Sequence, residues 1–213
     1  ESFYDLALQN ANFLKENMIT PEGKVWRNYK NGKASIPGFL DDYAILAEAF
    51  IELYQVRFDP QWLELTTNIV HQVLEHFADP RTGMFFYTSD QSEALVARKH
   101  EYTDNVIPAS NSILATVFFK LGKLYPEEVY ADKADKMLLQ AENDIISGGP
   151  YFAKWEMLYG LAAHPLHEVA IMGPDAVKKS LDLQSHYLPS SLFLGGSKPH
   201  LALLENKGKS TTT

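Results

Sequence analysis

The feature that most limits what this chain can fold into is a recurring link between stretches of helical periodicity. Thr20-Pro21-Glu22-Gly23-Lys24-Val25-Trp26 is echoed by Asp79-Pro80-Arg81-Thr82-Gly83-Met84-Phe85-Phe86 and by Ser147-Gly148-Gly149-Pro150-Tyr151-Phe152. Gly23, Gly83 and Gly148 lie 60 and 65 residues apart, room for one helical hairpin with its loops. A period of this size marks stacked supersecondary units, none of which buries its apolar face alone. The alternative, ordinary Gly turns with hydrophobic plugs, stays open at this point. Ile45, Leu46, Ala49, Phe50, Leu53 and Val56 predict one buried face for a helix from Asp42. Asp59-Pro60 reads as an N-cap and first helical position, followed by the stripe Trp62, Leu65, Ile69, Val73, Phe77. Ser110 opens a helix with Ile113, Leu114, Val117, Phe118 and Leu121 on one face. Pro126 starts another, with Glu127 and Glu128 where the helix dipole favours negative charge. Helices over 2–17 and 151–163 bring the number to six. The expected fold is mainly α, an α/α hairpin array of three hairpins over residues 1–165. Gly160, inside the last helical pattern, predicts close packing rather than catalysis.

After Pro165 the pattern changes. Residues 168–172 (Glu-Val-Ala-Ile-Met) read as a strand, 176–186 as a helix, and Ser191-Leu192-Phe193-Leu194 as a second strand. Residues 166–213 thus form a small βαβ-like appendage with a polar tail. Gly173 stands alone rather than in a G-x-G-x-x-G, so a dinucleotide loop is not expected.

Composition narrows the function. Nineteen Lys+Arg against 27 Asp+Glu give a net charge of −8, with no basic stripe to neutralise phosphates, so nucleic acid is not an expected partner. The chain has no cysteine, which removes disulfides, thiolate nucleophiles and thiolate-held zinc. No apolar run reaches the ~20 residues that span a bilayer. The sequence opens Glu-Ser-Phe-Tyr, with no initiator Met and no basic-then-apolar signal segment, so Glu1 reads as a processing or cloning boundary. Both ends read as cut, and a cytoplasmic location is the expectation. Among seven histidines, His164-Pro165-Leu166-His167 has no acid at zinc-site spacing, and no G-x-S-x-G is present. Neither metal nor cofactor is expected.

The chemistry-bearing residues gather where loops turn into helices. Residues 36–43 (Ile-Pro-Gly-Phe-Leu-Asp-Asp-Tyr) place Asp41 and Asp42 at a helix start. One acid can cap the helix while the other serves as general acid or base, if burial or a like charge raises its pKa. Both can equally be caps. Residues 102–112 repeat the theme with Asp104, Asn105 and Asn111, and Asp104 follows Asp42 by 62 residues, which predicts equivalent positions in successive units. Trp26, Tyr29, Phe86, Tyr87, Tyr151 and Trp155 fall in the connecting stretches at the same end. Aromatic faces with carboxylates and amides suit a sugar-binding cleft, but the same aromatics can be core plugs.

At these residues the sequence resembles a known family. Residues 37–44 (Pro-Gly-Phe-Leu-Asp-Asp-Tyr-Ala), Trp62-Leu63, Gly83-Met84-Phe85-Phe86, 104–112 and 168–173 resemble, in order, the C-terminal half of thioredoxin-domain-containing proteins of the spermatogenesis-associated protein 20 type. The resemblance runs from about Ala7 to Gly208. It implies an N-terminal thioredoxin-like domain joined to an (α/α) toroid similar to six-hairpin glycosidases and N-acylglucosamine 2-epimerases, of which this chain is about half. Ala109 departs from the family's hydroxyl residue, and the family's Cys-bearing C-terminal segment is missing. The resemblance implies a site at Asp41, Asp42, Asp104, Asn105 and Asn111. The resulting expectation is a site for a saccharide or other polar small molecule. Asp42 and Asp104 are the catalytic candidates; Asp41, Tyr43, Trp26, Tyr29, Asn105, Asn111 and Trp155 are the substrate-binding ones. The alternative is a non-catalytic scaffold or interaction module for a thioredoxin-like domain. Half a ring exposes apolar helix flanks, so the isolated segment is predicted to self-associate. Light scattering checks this: concentration-dependent mass supports it, and a monodisperse monomer at high concentration contradicts it.

Overall fold

In chain order, the sequence forms α1 (Phe3–Asn17), β1 (Trp26–Lys30), β2 (Lys33–Pro37), α2 (Leu40–Arg57), α3 (Gln61–His76), α4 (Ser110–Leu124), α5 (Tyr130–Gly148), α6 (Ala153–Ala163), β3 (His167–Met172), α7 (Ala176–Gln184) and β4 (Ser191–Gly196). This computed structural model describes residues 2–93, 97–205 and 207; the polar tail expected at 209–213 lies outside them. The fold is mainly α with a small sheet portion, as the periodicity predicts. Helices α2 and α3 pair, α4 and α5 pair, α2 lies beside α4, and α6 rests on α4 and α5.

Every residue of α4 from Ser110 to Phe118 is buried. Its apolar residues Ile113, Leu114, Ala115, Val117 and Phe118 leave no exposed face, and its buried Ser110, Asn111, Ser112 and Thr116 hydrogen-bond within the protein. Helices α2, α5 and α6 enclose it. Helix α2 is covered by α3 on one side and α4 on the other, so its buried arc is wider than the sequence stripe and turned from it. Tyr43, Ala44, Ala47, Phe50, Ile51 and Tyr54 are buried, whereas the expected core residues Ile45 and Ala49 are exposed.

The repeated links hold for two of the three places. Ile19 bridges Val25 and Ala78 bridges Phe85, so both Gly turns are pinched shut by one antiparallel pair. The first continues into β1 and β2, an antiparallel hairpin the sequence reading missed. Asn31 and Gly32 form its two-residue turn, both at positive φ (53° and 75°), as a tight hairpin requires. The third place has no such pinch: α5 runs to Gly148 and a 3₁₀ turn over Gly149–Phe152 leads directly into α6. Helix α5 starts at Tyr130 rather than at Pro126. The long link between α3 and α4 is held to the end of α3 by His76 Nδ1 to Asp90 (3.0 Å), and His100 Nε2 lies 3.1 Å from Asp79 without hydrogen-bond geometry.

Strands β3 and β4 are parallel, joined through α7. This unit is stitched to α2 through one buried residue. Gln55 Oε1 accepts from the Phe193 N–H at 3.0 Å, and its carbonyl accepts from Gln184 Nε2 at 3.0 Å.

Gly160 is exposed, with nothing within 4 Å of where a Cβ would stand. The close approach is at Gly122, where a Cβ would lie 2.8 Å from the Ala131 nitrogen and 2.9 Å from its Cα. Both atoms are backbone and cannot swing aside. Gly122→Ala is therefore expected to destabilise: overpacking costs about 1–3 kcal/mol, against about 1 kcal/mol gained from the better helix former. Urea unfolding measures the balance, and an unchanged or raised midpoint would refute so close a contact.

Candidate functional site

At the start of α2, Phe39 is extended and has no side chain able to cap. Asp42 does the work from inside the first turn: its Oδ2 accepts from the Phe39 N–H at 2.9 Å. Arg27, projecting from β1, donates Nη1 to Asp42 Oδ2 at 2.7 Å and to Asp41 Oδ1 at 3.0 Å. The Tyr87 hydroxyl donates to Asp41 Oδ2 at 3.1 Å. The Tyr87 ring stacks on Phe39 at 5.1 Å, and the guanidinium lies 5.0 Å from the Phe39 ring centre. Two adjacent carboxylates thus share one guanidinium beside an aromatic pair.

The environment treats these groups differently. Burial raises the pKa of Asp42; the Phe39 N–H opposes this, the charge on Asp41 adds to it, and Arg27 only partly offsets it. Asp42 Oδ1 has no hydrogen-bond partner among the described residues. Burial, then the Asp41 charge, pushes the Tyr87 phenol up to about 12, so it stays a donor. The hydrogen bond to Asp41 raises the pKa of Arg27 and keeps it cationic.

From this junction an uncovered seam runs down α2. Asp41, Ile45, Glu48 and Glu52 stand at i, i+4, i+7 and i+11, one face of a helix, spanning about 16 Å. The seam ends in a cavity of about 330 Å³, where α2, α4 and α6 meet the segment after α7. Across it Glu48 pairs with Lys154 of α6 at 2.6 Å, and Glu52 pairs with Lys120 of α4. Sequence reasoning missed this cavity. The available signal was the seven-residue spacing of Asp41, Glu48 and Gln55, on a helix read for its apolar stripe alone.

The other expected site residues lie elsewhere. Asp104 is buried in the loop before α4, six residues ahead of Ser110, so it is not in register with Asp42, the third residue of α2. The residue at that position of α4 is Ser112, whose hydroxyl donates to Asp104 Oδ1 at 2.8 Å. Asp104 Oδ1 also accepts from the Ala109 N–H, and Oδ2 from the Lys154 N–H, both at 2.8 Å. One carboxylate therefore ties the starts of α4 and α6 together. Asn111, fully buried, grips Phe85 through its N–H and C=O, both at 2.9 Å, and donates to the Glu101 carbonyl at 2.8 Å. Trp155 is enclosed, its indole donating to the Tyr102 carbonyl at 2.7 Å. Tyr43 is buried against Phe77, and its hydroxyl accepts from the Val25 N–H at 3.1 Å. Tyr29 docks the β-hairpin on α1, edge-on to Phe13 at 5.1 Å with its hydroxyl on Asn17. Trp26 is half-buried under Lys24, and Asn105 is exposed in the loop. The structure gathers Asp41 and Asp42; the remaining candidates are distributed through the frame.

Among the described residues, no group of three or more His, Asp or Glu could hold a metal ion, and no helix is long and apolar enough to cross a membrane.

The fold is thus an α/α hairpin array carrying a small parallel β–α–β unit, with an acidic junction and a charged cavity on one seam. No protein-family model matches the chain. The chain is similar to spermatogenesis-associated protein 20 of Mus musculus, 28% identical over 204 residues, covering 88% of this chain and 26% of that protein. Its counterparts in Homo sapiens (26% over 204 residues) and Rattus norvegicus (26% over 210 residues) cover 88% and 91% of this chain. The chain spans about a quarter of the length of these relatives.

Asp104→Ala leaves three donors without their acceptor, two of them at helix starts. The expected loss is about 2–3 kcal/mol of stability, read by urea unfolding. A change below about 0.5 kcal/mol would show that the clasp is not needed.

Proposed function

We propose that this chain forms part of a binding site for a saccharide or comparable polar small molecule, within a larger α/α toroid of the spermatogenesis-associated protein 20 type. The observation that carries this reading is the Asp41–Asp42 pair. Asp42 has its pKa raised and keeps a free oxygen; Asp41 is held as acceptor by Arg27 and Tyr87. Two carboxyl groups in unlike environments are what general acid/base work uses, the protonated one donating and the ionised one stabilising positive charge. Phe39 and Tyr87 supply faces for C–H stacking, and Arg27 supplies donors for hydroxyl oxygens. In this reading Asp104 is a positioning residue that acts through the two helix starts it holds.

A second reading is favoured by Asp104 and Asn111, which give their oxygens entirely to other parts of the same chain. It makes the chain a non-catalytic scaffold that positions a thioredoxin-like domain.

Saturation-transfer NMR against neutral and acidic saccharides separates the two. The first reading expects binding by the wild type and a loss of at least about tenfold in Asp42→Asn, with melting unchanged. It also expects the Asp42 carboxyl, followed by ¹³C NMR, to titrate above its ordinary value of 3.8. Asp42 then remains protonated to higher pH than an exposed aspartate. Folding is favoured below its ordinary value, and this contribution is lost as pH rises through the raised one. Absence of any saccharide binding, or unchanged binding by Asp42→Asn, would overturn the first reading. Asp42→Ala would then show only the loss of a capping residue, about 0.5–2 kcal/mol.

A further inference from the structure

The cavity at the far end of the α2 seam is made by four separate parts of the chain, and its walls differ in kind. On the α2 side stand two ion pairs, Glu48 with Lys154 and Glu52 with Lys120. Beside them Met157, Leu158 and Leu161 of α6 and Leu188, Leu192 and Phe193 of the C-terminal unit line the cavity with apolar side chains. A volume of about 330 Å³ is within the range of small-molecule sites, as is the location between two structural units.

The ammonium groups are the informative part. The Lys154 and Lys120 side chains are only 16% and 19% exposed, yet each makes a single hydrogen bond among the described residues. An ammonium has three N–H donors, so each retains donating capacity while itself largely shielded from water. The carboxylates Glu48 and Glu52 come from one helix, one turn apart, and face the lysines of two other helices. Charge is therefore balanced across the cavity, and this restricts the ligand. A simple anion could take the spare donors of Lys154 and Lys120, but it would bring a further negative charge beside Glu48 and Glu52. A simple cation at the glutamates would likewise set a further positive charge beside the two lysines. A molecule bearing both charges meets each protein group with its opposite and adds no uncompensated charge.

We infer that this cavity is a binding site for a small zwitterion with an apolar body, of the kind of a free α-amino acid with a large aliphatic or aromatic side chain. The ligand carboxylate meets the Lys154 and Lys120 ammoniums, its ammonium meets Glu48 and Glu52, and its side chain lies against Leu158, Leu192 and Phe193. Glu48 is six residues beyond Asp42, about 9 Å along α2. The site is separate from the acidic junction, and neither depends on the other being occupied.

The test is a ¹⁵N chemical-shift titration of the whole chain with L-phenylalanine, 3-phenylpropionate and 2-phenylethylamine, which share the ring and differ in charge. L-Phenylalanine is expected to give saturable shifts at residues around Glu48, Lys154 and Leu192. The two singly charged analogues are expected to bind at least about tenfold more weakly. Lys154→Gln and Glu48→Gln should each weaken L-phenylalanine by a similar factor while the rest of the spectrum keeps its dispersion. Asp42→Asn should leave this titration unchanged, so its failure is distinguishable from failure of the saccharide site. Equal affinity for either analogue, or no saturable shift with L-phenylalanine, would overturn the proposal. Because the analogue series is run on the wild type, it decides the matter even if a variant fails to fold.

Discussion

Helix α4 is buried without interruption over its first nine residues, and the rest of the chain is arranged around that fact. Its one glycine, Gly122, admits α5 to backbone contact. Enclosing α4 places α2 between two neighbours, since α2 must also shelter α3. An α2 covered on two sides keeps one open seam, and the charged side chains of the molecule's interior edge stand on it. The acidic junction and the charged cavity are thus both by-products of the demand that one buried helix be surrounded.

The second organising element is a small set of polar side chains that each serve several segments of backbone. Asp104 joins the starts of α4 and α6, Asn111 grips the stretch at Phe85, and Gln55 holds the C-terminal unit. Loop and helix ends leave backbone groups without partners, and a buried group left so costs about 1–3 kcal/mol. A carboxylate or amide answers several such demands from one position. The arrangement also orients chemistry: the same Lys154 whose N–H is held by Asp104 extends its ammonium to Glu48.

The helical elements were legible because their apolar residues repeat over many turns: α3 and α4 bury the stripes their sequences display. The unit after Pro165 was legible for a similar reason, as two short apolar runs flank a helix. The β-hairpin was not, because Arg27, Asn28, Lys30 and Lys33 face solvent and leave little alternation to detect. The buried arc of α2 was misplaced because periodicity reports one face, while tertiary contacts cover two. At the site, acidic residues at loop-to-helix junctions were visible as a pattern. What each one contacts depends on partners 14 to 50 residues away, Arg27 for Asp41 and Lys154 for Asp104, and such pairings are set by topology. The cavity escaped notice for the same reason, since its walls come from four stretches that meet only when the chain is folded.

The attachment of the C-terminal unit through Gln55 bears on the order in which the molecule assembles. Two parallel strands joined by one short helix have little stability of their own, and parallel pairing requires a crossover to be closed before it is rewarded. The helical hairpins, by contrast, are built from contacts close in sequence, which form fast. Gln55 meets the Phe193 N–H from 138 residues away, and only after α2 has formed can it present that acceptor. The topology therefore argues that the hairpins condense first and that the unit of β3, α7 and β4 settles onto a finished surface. The cavity comes into being at that last step.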